Sequence, residues 1–108
     1  MNIEPLKREL EEEIKHRNYD SLVYVLFDES NTAPFAIHIF YRDHLFMVNS
    51  RDDRSYIVGH SKEYNNFESA KKDFFEKLEL VIESNKLNIQ LGLPVEYPSP
   101  LWDEKEDH

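Results

Sequence analysis

The hydrophobic period changes along this chain, and each change marks a different element. From Ile3 to about Arg17, Leu6, Leu10 and Ile14 recur at helical spacing while Glu9, Glu11, Glu12, Glu13, Lys7, Arg8 and Lys15 fill the other faces. Pro5 suits the first turn of that helix, where a missing N–H costs nothing, and Asn18 and Asp20 bracket its stop. The period then shortens. "SLVYVLFDE", "PFAIHIFY", "LFMVNS" and "SYIVGH" are rich in Val, Ile, Leu and aromatic residues and read as four strands. "SNTAP", "RDH" and "RDDR" supply turn chemistry between them. Short loops between consecutive strands predict antiparallel neighbours, hence a meander of about four strands.

"NNFESAKKDFFEKLELVIESNK" returns to the helical period. Asn65 or Asn66 can cap it, and Glu68 suits the dipole of its first turn. Phe67, Ala70, Phe74, Leu78 and Val81 form one stripe, widened by Phe75 and Ile82. "KLNIQLGLP" alternates like a strand, yet Leu80, Leu87 and Leu91 also fit helical spacing. The expected end is near Gln90, with Gly92 as the stop and Pro94 beyond it; a short fifth strand is the alternative. The expected class is therefore α+β: an N-terminal helix, an antiparallel meander, a long C-terminal helix packed on the sheet, and an extended Pro-rich acidic tail. Residues 1–92 form one domain in this reading, and residues 93–108 form the tail.

Alternation raises a problem of cover. Ile37, Ile39 and Tyr41 point one way and Ala36, His38 and Phe40 the other, and both sets are largely apolar. Leu22, Tyr24 and Leu26 oppose Val23, Val25 and Phe27 in the same manner. The second face needs a helix, the folded-back tail or a partner to cover it. The tail suits docking, because Pro94, Pro98 and Pro100 stiffen "PVEYPSPLW" and reduce the entropy lost when Trp102 is seated.

Composition narrows the function. The 108 residues contain no Cys, so no disulfide, thiolate metal site or cysteine nucleophile is available. The first residues, "MNIEPLKRELEEEIKH", lack the apolar core of a signal peptide, and no run reaches transmembrane length. A cytoplasmic address without membrane contact is the expectation. The net charge of -9 repels a phosphate backbone, which argues against nucleic acid and for a basic protein partner.

Catalytic patterns do not emerge. His38, His44 and His60 have no metal-ligand spacing, and His44 fits the positive-φ position of a three-residue hairpin loop. Asp52 and Asp53 sit between Arg51 and Arg54 in a charged turn, where solvent keeps carboxylates ordinary. The serines lack a nucleophile-elbow context, and two glycines cannot build a phosphate loop. The expectation is a binding protein without cofactor or metal. Its candidate partner contacts are Asp52, Asp53, Tyr97, Trp102, Asp103 and Glu104.

The order of elements, with "FAIHIFYRDHLFMVN", "NNFESAKKDFFEKL" and "YPSPLWDE", resembles the small immunity proteins of bacterial polymorphic-toxin systems. That resemblance implies a cytoplasmic antidote that binds and blocks a cognate toxin domain, with no cofactor and no shared catalytic residues. A basic toxin such as a nuclease agrees with the charge. The competing reading is a small structural or regulatory interaction domain, including a homodimer formed through an apolar sheet face.

Overall fold

The structure is a computed structural model that describes residues 1–103; Glu104, Glu106 and Asp107 of the acidic end lie outside the described residues. Helix α1 spans Glu4–His16 and buries Leu10 and Ile14. Asn18, at φ 61°, ends its run in the left-handed conformation that Asn tolerates. Strands β1 (Tyr24–Leu26), β2 (Ile37–Arg42), β3 (Leu45–Ser50) and β4 (Lys62–Tyr64) precede the long helix α2 (Phe67–Gln90). Asn66 caps α2, its side chain accepting from Ser69 N at 2.8 Å. Gly92, at φ 72°, stops it: Leu93 N bonds Asn88 O and Gly92 N bonds Ile89 O, the paired bonds of a Schellman motif. Helix to Gln90, rather than a fifth strand, is the outcome.

The α+β order of helix, four-stranded sheet and long packed helix is as the sequence predicts, but the sheet is mixed. Its order is β1-β2-β3-β4, with β2–β3 and β3–β4 antiparallel and β1–β2 parallel, Tyr24 opposite Ile37 and Leu26 opposite Ile39. Residues 27–36 carry the chain back to the start of β1 instead of reversing it. β1 is only three residues long, so an unusually short connection without a helix suffices. The β2–β3 loop is tighter than expected. Arg42 pairs with Leu45 around Asp43 and His44, at φ 55° and 67°, which is the positive-φ pair of a type I′ turn. The fourth strand is also displaced: "SYIVGH" makes one bridge, Arg51 to Ile57, and the ladder resumes at Lys62.

Both helices lie over one face of the sheet. Leu10 and Ile14 of α1 and Phe67, Phe74, Phe75 and Leu78 of α2 join Ile37, Ile39, Phe46 and Val48 in a single core. Lys71 bridges Glu9 and Glu13, and Arg17 bridges Glu13 and Glu79 while its guanidinium lies 4.5 Å from the Phe75 ring centroid, so alternating charges zip the helices together.

The opposite face, Val25, His38, Phe40, Met47 and Asn49, is buried as well. Its polar side chains reach the two long loops. His38 Nε2 donates to Asp28 O at 2.9 Å, and Asn49 Nδ2 donates to Ser61 Oγ at 3.0 Å.

The described part of the tail packs against the helix side. Trp102 is 3% exposed within the core, and its Nε1 donates to Tyr97 O at 3.0 Å. The Tyr97 hydroxyl accepts from Val23 N at 3.1 Å, and the Ser21 and Ser99 hydroxyls are 2.7 Å apart. Fully buried Asn85 fastens the other end, accepting from Glu96 N at 2.8 Å and donating to Val81 O and Glu96 Oε1.

Candidate binding surface

The β3–β4 connection, residues 51–61, is a structured loop with an apolar crest. Asp52 organises it: its Oδ1 accepts from Arg54 N and Tyr56 N, and its backbone N donates to Tyr56 O. Arg51 Nη1 donates to Ser55 O at 2.6 Å, and Val58 N donates to Ser50 O. These bonds hold Tyr56 and Val58 outward, 66% and 58% exposed. On the facing part of α2, Leu80 is 60% exposed.

Between loop and helix runs a groove of about 690 Å³. Phe35, Ile37 and Ser50 form part of its lining, Val58 and Leu80 are apolar, and Asp52, Asp53, Lys62, Lys77 and Glu96 bring charge. The groove is braced from behind. Phe35 N donates to Asp52 O, and the Phe35 ring lies 5.8 Å from that of Tyr97, which in turn meets Trp102 edge-on at 5.2 Å. Tail and loop are therefore mechanically joined through one aromatic chain.

Beside the groove, Tyr64 donates to Asp73 Oδ2 at 2.7 Å and Lys77 pairs with Asp73 Oδ1 at 3.0 Å. Burial and then the Asp73 carboxylate push the Tyr64 phenol up to about 12, so it donates a hydrogen bond and cannot serve as a base near neutrality. Among the described residues no group of three or more His, Asp or Glu is arranged to hold a metal ion. No helix there is long and apolar enough to cross a membrane.

The predicted contact residues separate into two sets. Asp52 and Asp53 line the groove, whereas Tyr97 and Trp102 turn inward behind it. Asp103 is exposed at the end of the described tail, its N donating to Ser99 O, and Glu104 lies outside the described residues. Sequence reasoning missed Tyr56 and Val58 as surface residues because their segment reads as a strand. Leu80 left a better signal: with Leu87 and Leu91 it falls on a helical stripe distinct from the Phe67–Phe74–Leu78 stripe, and all three are exposed.

A family model, Immunity protein 59, matches residues 3–103 of the chain. The chain belongs to the Immunity protein 59 family. Nearly all described residues fall inside the match, so α1, the sheet, α2 and the tail through Asp103 are all parts of the family's domain. Immunity proteins are antidotes to protein toxins, and this is the partner class that membership implies. Neither the comparison with curated proteins nor that with solved structures gives a match.

Proposed function

We propose that this member of the Immunity protein 59 family neutralises its toxin by binding alone, without catalysis or cofactor, through the groove between residues 51–61 and α2. The observation that carries this reading is that Val58 and Leu80, both more than half exposed, line one groove, with Tyr56 exposed on the same preorganised loop. Exposed apolar clusters with polar rims favour protein contact, and a prefolded loop loses little entropy on docking. Asp52 and Asp53 act at the rim in this scheme, joined by Asp103 and Glu104 in the acidic tail. Tyr97 and Trp102 serve the contact from inside, by holding Phe35 and the loop in place.

The net charge of -9 favours a basic toxin domain, such as a nuclease, met in the cytoplasm, and disfavours nucleic acid or a membrane surface as the direct ligand. The test is co-expression with candidate toxin domains, taken first from any toxin gene found beside this one. The wild-type chain should restore growth and co-purify with the toxin, with association slowing as salt rises. Val58→Asp combined with Leu80→Asp should keep the melting temperature and lose both protection and co-purification. Full protection by that double variant would overturn the assignment of the surface.

A further inference from the structure

The groove is not electrically uniform along its length. On the helix wall, α2 advances from Lys77 to Ser84, about 10 Å at 1.5 Å per residue. Lys62 lies near the Lys77 end, because β4 pairs Lys62 with Val48, and Lys77 is tied to the same region through the Tyr64–Asp73 contact. Asp52 and Asp53 follow Ser50, the last residue of β3, two positions beyond the Val48 that Lys62 faces. Glu96 is fastened there too, by Asn85, one residue beyond Ser84. Val58 and Leu80 lie among the lining residues that link these two ends. Arg51 and His60 also line the groove, but Arg51 Nη1 is held by Ser55 O and Lys77 is paired with Asp73. The charges left to a ligand are Lys62 on one side of Val58 and Leu80 and Asp53 on the other.

We propose that the groove receives a single segment of the toxin in one direction: an acidic residue toward Lys62, an aliphatic or aromatic side chain between Val58 and Leu80, and a Lys or Arg toward Asp53. This deepens the toxin-binding reading and rests on it. Complementary charges at both ends favour one orientation, and the reversed segment meets like charges twice, which is how interfaces reject wrong registers. A separation of about 10 Å corresponds to about three residues in an extended segment, or about seven in a helix. The apolar anchor supplies attachment, and the flanking charges supply direction.

A phage-displayed library of random 12-residue peptides, selected on the intact chain, tests the inference. Enriched peptides should carry an acid and a base in fixed order around an apolar residue, and the charge spacing reports whether they bind extended or helical. Leu80→Asp, with an unchanged melting temperature, should weaken the best synthetic peptide by about tenfold or more, a loss of about 1.4 kcal/mol. The paired exchange Asp53→Lys with Lys62→Glu conserves net charge and should invert the selected order. Enriched peptides without charge order, peptides indifferent to Leu80→Asp, or no enrichment over an unrelated acidic protein would each overturn the proposal. So would a concentration-dependent dimer in sedimentation that Leu80→Asp abolishes, since a second copy would then occupy the groove. Continued toxin protection in any of these cases would leave the binding function standing and remove only the directed segment.

Discussion

Trp102→Ala should destabilise the chain more than almost any other single truncation in the tail. The indole is 3% exposed, and an aromatic side chain of this kind buries about 150–250 Å². At about 25 cal/mol per Å² this is about 4–6 kcal/mol of transfer free energy as an upper estimate. Measured truncations of buried Trp or Phe to Ala centre on about 3–5 kcal/mol. The change also removes the donor from Tyr97 O and the edge-on contact with the Tyr97 ring. Because domains are stable by about 5–15 kcal/mol in total, a loss of that size consumes much of the margin. Urea unfolding followed by far-UV circular dichroism reads the effect without needing the indole, and Trp102→Phe should recover most of it. A loss below about 1 kcal/mol for Trp102→Ala would mean that the tail does not close the core, and the bracing of the groove through Tyr97 and Phe35 would fall with it.

Two further perturbations probe the sheet. Burial, reinforced by Arg51, pushes the His38 imidazole below its ordinary 6.5 against the opposing influence of the Asp28 carbonyl and the Asp28 and Glu29 carboxylates. The unfolded chain then binds a proton that the folded chain refuses, so His38's contribution is complete above about pH 6.5 and declines as pH falls toward the lower folded value. Denaturant midpoints measured from pH 7.5 to 5.5 should show this decline and His38→Gln should flatten it; equal slopes in both proteins would refute the assignment. At the β2–β3 turn, His44→Gly should raise stability by about 0.5–1 kcal/mol, since the left-handed φ of 67° costs an L-residue about 1–2 kcal/mol and glycine's extra chain entropy offsets only part of that relief, whereas a lower melting temperature would contradict the type I′ geometry.

The helices and their limits were legible because their determinants are local. Asn66 and Gly92 mark the ends of α2 by chemistry that a few neighbouring residues complete. The sheet was less legible, since strand identity depends on partners remote in sequence. "SYIVGH" has the composition of a strand but only Ile57 bridges, while Lys62–Tyr64, with no strand signature, takes the ladder. The parallel start of β2 was hidden by "SNTAP", which suits a hairpin loop equally well. Its return path depends on positive φ at Phe27 and Phe35, a conformation that sequence does not announce for aromatic residues. The same limit affected the binding surface. Asp52 and Asp53 could be named from their charge, but the groove around them exists only once the displaced loop faces α2.

The placement of the chain's single tryptophan in the tail gives the molecule an optical signature of its own latch. An indole held among apolar side chains emits at shorter wavelength than one in water, and no second indole contributes a background. Fluorescence therefore reports whether residues 93–103 are seated, while dichroism reports mainly α1 and α2. If the two signals separate along a denaturant series, the latch opens as a local unit before the helices melt. If they coincide, the tail and the helical layer behave as one cooperative block, and the groove that the tail braces persists for as long as the protein remains folded.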